Sequence, residues 1–133
     1  MSGITALLIY IVWTLVLALS YATYRLPLVL TGKKTANHWE RGQSVDDPAI
    51  LVRAKAAHLN CLENLPLFAA LVLVAAATGQ SETVNAVAGV LIAARIGQSL
   101  VHLIGTSFAL VFIRASLFLV QVGLMLYLAF ALI

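Results

Sequence analysis

Residues 48–79 read PAILVRAKAAHLNCLENLPLFAALVLVAAATG, an apolar run interrupted by Arg53, Asn60, Glu63 and Asn64. At 3.6 residues per turn, Arg53, Ala57, Asn60 and Asn64 share one ridge, and Glu63 lies on the adjoining one. A rise of ~1.5 Å per residue carries Glu63 roughly 22 Å beyond Pro48. The apolar residues that follow, Leu65 to Thr78, are too few to cross a bilayer alone. Asn60 and Glu63 therefore lie inside a membrane or at its boundary. A charged side chain in a span is costly and points to function, so this stretch reads as a spanning helix with one polar half.

The rest of the chain agrees. Of 133 residues, 62 % are hydrophobic and 10 % charged, and the mean hydropathy is +1.03. Soluble domains run at about 45–50 % apolar and about 25 % charged. A chain this small and apolar could not hide its surface from water. The net charge of +3 is spread over few residues, with no basic run for nucleic acid. The single cysteine, Cys61, excludes an intrachain disulfide. Met1-Ser2-Gly3 offers no positive leader, so the first apolar stretch is expected to stay as a membrane helix.

Four spans account for the length, giving an all-α integral membrane four-helix bundle in one domain, residues 1–133. The helices are expected at about 4–30, 48–78, 82–105 and 107–133. Asp46-Asp47-Pro48 reads as a helix start, an acid to cap free amides before a proline. Gly79 is a C-terminal stop, and Ser81 a cap for the third helix. The polar connection 31–47 and its flanks hold Arg25, Lys33, Lys34, Arg41 and Arg53, whereas the second connection carries only Glu82. Short basic loops stay cytoplasmic. That bias places the first and third connections inside and both termini outside.

The polar residues gather at that inner half. Arg95, Gln98, Ser99 and His102 form one stripe at i, i+3, i+4 and i+7 of the third helix. Arg114 opens the fourth helix there, with Phe118 and Gln121 on its ridge, and Tyr21, Tyr24 and Arg25 close the first. Arg25, Arg53, Arg95 and Arg114 face one acid within the spans, Glu63, and this excess of cations invites an anionic, peptide-like ligand. The plain alternatives are structural. Glu63 would pair with Arg53 or Arg95, and Arg25 would snorkel to the interface. His58, pointing off the Asn60 ridge, would pack, and Cys61 would fill the core. Tyr10, Trp13 and Trp39 read as interfacial or core aromatics.

The run Arg53 to Phe68, RAKAAHLNCLENLPLF, resembles the signature of the MAPEG family, the membrane-associated proteins of eicosanoid and glutathione metabolism. An R-A-H-x-N-x-x-E-N-x-x-P-F-like run opens the second helix of that family. Ala57, His58, Asn60, Glu63, Asn64 and Phe68 match it, with Pro66 displaced by a residue. The long first loop, the Arg95-centred third helix and an arginine opening the fourth extend the likeness over most of the chain. The resemblance implies a homotrimer binding glutathione as co-substrate between subunits on the cytoplasmic side, while the short, simple loops point to a bacterial inner membrane. It implies conjugation of glutathione to lipophilic electrophiles or reduction of hydroperoxides. Arg53, Asn60, Glu63, Arg95, Gln98 and His102 would bind the tripeptide, with no metal, and Arg114 would stabilise the thiolate. A free thiol has a pKa of ~8.5 and needs such a cation to react at neutral pH.

The chain departs from the pattern at three places. Ala56 stands where relatives carry an arginine, His102 where a tyrosine is common, and Phe118 where a tyrosine hydroxyl is usual. The second reading is therefore a non-catalytic glutathione- or lipid-binding protein of the same fold. A third, a small proton-coupled cation transporter, would want its acid in the first helix, which has none.

Overall fold

The computed structural model describes residues 1–40 and 46–133; Arg41, one of the basic loop residues, lies outside them. The described residues form four helices: α1 Gly3–Leu30, α2 Ala49–Ala77, α3 Ser81–Ile104 and α4 Phe108–Leu132. Each is long and apolar enough to cross a membrane. The protein is an integral membrane four-helix bundle, and the described residues contain no strand.

Local chemistry sets most of the ends. Ser2 caps α1 by accepting from Thr5 N, and Ser107 caps α4 by accepting from Leu110 N. After α2, Gly79 takes φ +72°, the left-handed conformation that costs glycine least, and Gln80 N closes back on Ala75 O at 2.8 Å. Two expected caps are corrected. Pro48 precedes α2 with no side-chain cap, and Gln80 rather than Ser81 holds the position before α3, again without one. The Asp46 and Asp47 carboxylates are taken up elsewhere, by side chains of the first loop and of α1.

α2 and α3 are neighbours along the bundle, with α1 packed on both and α4 lying mainly on α3. α1 and α4 thus sit on opposite sides of the central pair. The core runs through Ala6, Tyr10 and Leu17 of α1, Cys61 and Phe68 of α2, Val84 and Leu91 of α3, and Leu128 of α4. Small residues let backbones approach where dispersion replaces the hydrophobic effect as the driving force. Gly3 shows this best, because a Cβ there would meet Val84 Cγ1 at 2.6 Å. Leu8, Val12, Leu15 and Leu19 on α1 and Phe112, Leu119, Leu126 and Phe130 on α4 are exposed. Such faces would aggregate in water and are solvated by acyl chains.

Pro66 sits inside α2 and has no N–H for the Leu62 carbonyl. Side chains crowd onto the carbonyls one and two residues earlier on the helix. Tyr10 Oη donates to Cys61 O at 3.0 Å, while Asn64 Nδ2 and Arg95 Nη1 both donate to Asn60 O, at 3.1 and 3.4 Å. Donors from three helices therefore meet at one turn of α2, and this turn joins the core to the polar half.

Candidate functional site

The ends of all four helices on the side of the first loop carry the polar chemistry. A clasp closes that end. Arg25 Nη2 lies 3.2 Å from Asp47 Oδ2, Trp39 Nε1 donates to Asp47 Oδ1 at 2.9 Å, and the Arg25 guanidinium stacks 5.0 Å from both the Tyr21 and Trp39 rings. Arg25 is thus neither a free snorkelling anchor nor part of an unmatched cationic field. A second carboxylate, Asp46, takes Lys34 Nζ at 2.6 Å and His38 Nε2 at 2.9 Å. Those hydrogen bonds hold its carboxyl down at about 2, and the Lys34 ammonium is pushed up in return. Beneath the clasp, Tyr21 Oη lies 2.6 Å from His58 Nδ1, so His58 ties α1 to α2.

Three residues expected at the site come together at this end. Arg53, half-buried, donates Nε to Leu103 O at 3.0 Å, which fastens α2 to the last turn of α3. His102, the preceding residue, is 8 % exposed. Along the antiparallel α3–α4 pair, Gly97 faces Leu117, Gly105 faces Leu110, and Gln98 meets Gln121. The same register sets Arg114, half-buried, level with His102.

Arg95 lies deeper, roughly 14 Å from the loop end of α3 at ~1.5 Å per residue. It is 1 % exposed, with its guanidinium carbon 5.4 Å from the Tyr10 ring centroid. Nη1 has the Asn60 carbonyl, whereas Nε and Nη2 are buried without a partner. Gln98 and Gln121 are buried on α3 and α4, and Gln121 Nε2 donates to Gln98 Oε1 at 2.9 Å. Cys61 is fully buried, with its sulfur 3.6 Å from Ser99 Oγ.

Glu63 does not join the others. It is exposed on the flank of α2 and forms no ion pair among the described residues, so the expected structural alternative, a bridge to Arg53 or Arg95, is not made. Asn60 is half-buried and engages through its carbonyl. Within the described residues, Arg53, Arg95 and Arg114 have no carboxylate partner. Guanidinium groups in a medium of low dielectric attract anions strongly, which makes this half of the bundle suited to a ligand bearing carboxylates or a developing negative charge.

Two open grooves lie along the bundle, one running from Asn64 into the apolar half and one at the polar end. One of about 530 Å³ runs between α2 and α4 from Asn64 past Leu67, Leu71, Met125 and Leu126. Another, of about 600 Å³, lies along α1 between Leu19, Leu26 and Trp39. Both are walled mainly by apolar side chains and suit lipophilic molecules.

The sequence marks Tyr21 as part of the polar half but gives Tyr10 no part in it. Tyr10 shares the core face of α1 with Ala6, four residues before it, and Leu17, seven after, so periodicity marks it as core. Its hydroxyl is the only sign of a second role.

A model described as the MAPEG family matches residues 3–133 of the chain. No curated protein and no solved structure matches it.

Proposed function

The chain belongs to the MAPEG family, and on that premise we propose that it is a membrane-bound glutathione-dependent transferase or peroxidase acting on lipophilic electrophiles or hydroperoxides. One observation carries the reading: Arg53, Arg95 and Arg114 occupy the loop half of the bundle without a carboxylate partner among the described residues. Glutathione brings two carboxylates, an ammonium and an ionisable thiol to such a field. Arg53 and Arg95 would take carboxylates, Asn60 and Glu63 the amine and amides, and Gln98 and His102 would complete the pocket. Arg114 would stabilise the thiolate as sulfur attacks an electrophilic carbon, forming a C–S bond as the leaving group departs. With a hydroperoxide, sulfur would instead take the terminal oxygen, releasing an alcohol, and a second glutathione would complete reduction as disulfide and water.

Glu63 supports a homotrimer within the same proposal. A carboxylate exposed on a span has lipid around it unless a second subunit or a ligand covers that flank, and ionised groups in hydrocarbon are expensive. A glutathione held between subunits would supply its ammonium there. The basic charge of the first loop supports a cytoplasmic position for residues 31–47, with both termini outside, and the membrane in this reading is a bacterial inner membrane.

The direct test is calorimetry of glutathione binding to the detergent-purified protein, wild type against Glu63→Ala. Saturable binding that weakens about tenfold or more, ~1.4 kcal/mol, supports the reading. No binding to folded wild-type protein removes it. The sealed position of Arg95, 1 % exposed, favours the second reading, a protein of this fold that binds glutathione or lipid without turnover. Binding without any rate above the uncatalysed reaction would select it.

A further inference from the structure

Of the three histidines in the chain, two have a ring nitrogen engaged: His58 with Tyr21 and His38 with Asp46. Neither ring nitrogen of His102 makes a hydrogen bond among the described residues. They are not sealed either, since the fully enclosed, unpartnered polar atoms belong to Trp13, Arg95 and Gln121. The side chain is 8 % exposed, so a nearly buried imidazole keeps an accessible, unused nitrogen.

Its surroundings are cationic. The α3–α4 register sets Arg114 level with His102, Arg53 of α2 bonds to the carbonyl of the next residue, and Arg95 lies two turns away on α3 itself. That bond to the Leu103 carbonyl fixes Arg53 at the last turn of α3, where His102 lies. Any anion drawn to Arg53 and Arg114 therefore arrives next to a free imidazole.

That juxtaposition solves a chemical problem the arginines leave open. A guanidinium stabilises a thiolate, but it has only donors and cannot take the thiol proton. Neutral imidazole carries one acceptor nitrogen and is the commonest general base. Glu63, midway along α2, lies ten residues from Arg53, roughly 15 Å further from the loop, and Glu82 opens α3 at the far end.

We infer that His102 accepts the proton of the glutathione thiol, so that the anion forms against Arg114 with its counter-charge beside it. The inference rests on the glutathione reading above. In the step, the S–H bond breaks, its electron pair stays on sulfur, and an N–H bond forms on the ring. Glutathione brings two carboxylates to the same end, so a protonated ring would not stand among unmatched guanidinium groups. After sulfur attacks, the ring returns its proton to the departing anion, an alkoxide from an epoxide or a hydroperoxide, and regains its acceptor.

The experiment uses full-length protein in detergent at neutral pH and has two readouts. Ultraviolet absorbance reports thiolate formed on glutathione binding, and calorimetry in buffers of different ionisation enthalpy counts protons released. In wild type, thiolate appears with close to no proton released. In His102→Gln, which hydrogen-bonds without titrating, the thiolate signal at saturating glutathione drops at least about tenfold. Release of about one proton per thiolate by wild type, or a thiolate signal kept in His102→Gln, overturns the inference. If the variant does not fold, the wild-type proton count decides alone. Failure of folded wild type to bind glutathione is a separate result, which removes the parent reading and this step with it.

Discussion

The Arg95 guanidinium carbon lies 5.4 Å from the centroid of the Tyr10 ring, and the hydroxyl of that ring donates to the Cys61 carbonyl at 3.0 Å. One tyrosine on α1 therefore supports a buried cation from α3 and a backbone group of α2, just ahead of the Pro66 break. Its two roles separate by substitution. Tyr10→Phe keeps the ring and loses the hydrogen bond, for a cost of about 1 kcal/mol. Tyr10→Leu also removes the π-face under a desolvated guanidinium, adding roughly a further 1–2 kcal/mol. Unfolding in detergent should rank wild type above Tyr10→Phe and Tyr10→Phe above Tyr10→Leu.

The Gln98–Gln121 hydrogen bond is buried between α3 and α4. Changing either residue to leucine leaves the other amide without its partner in an apolar seam, at a cost of about 1–3 kcal/mol. The double leucine variant should recover much of that loss. A double-mutant cycle of thermal stabilities measures the coupling, and strictly additive losses would contradict it.

Arg114 carries the thiolate in the proposed chemistry. Arg114→Ala should lower turnover of a generic electrophile roughly a hundred- to a thousandfold, the usual effect of removing one group that stabilises developing charge. Arg114→Lys, which keeps the charge and loses the fork, should fall between the two. Unchanged turnover in Arg114→Ala would refute the role.

Asp46 offers a test by pH. Lys34 and His38 hold its carboxyl at about 2, below the ~3.9 of a free aspartate. A depressed carboxyl stabilises the folded form above the unfolded value, and its contribution is lost as pH falls through the folded one. The contacts of Asp46 with Lys34 and His38 should hold through pH 4 and loosen towards 2. The carbon-13 titration of the Asp46 carboxyl reads this directly, and Lys34→Ala should move its midpoint upward.

Much of the bundle was legible in the chain because lipid demands long apolar helices whose backbones bond internally. The stripe of Arg95, Gln98, Ser99 and His102 was legible too, and all four are buried on the inner face of α3. What periodicity could not assign was the direction of the α2 ridges. In water an apolar face marks the core, but in a bilayer apolar faces point outward as readily as inward, so the pattern of α2 names its ridges without aiming them. Glu63 consequently lies on the outer flank while Cys61 is enclosed. The pairing of Asp47 with Arg25 was hidden for a different reason. It joins residues on either side of a loop, where helical spacing has nothing to say, and the cap reading used the local rule that tertiary contacts overrode.

The enclosure of Cys61 gives the chain a practical property. Its only sulfhydryl is fully buried and faces the Ser99 hydroxyl, so intact protein should be nearly silent towards maleimide reagents. A cysteine placed at Lys33 or Glu82 would then be labelled against a blank background, from whichever compartment it faces. Impermeant and permeant reagents applied to whole cells would read the sidedness of the two connections without removing a native residue.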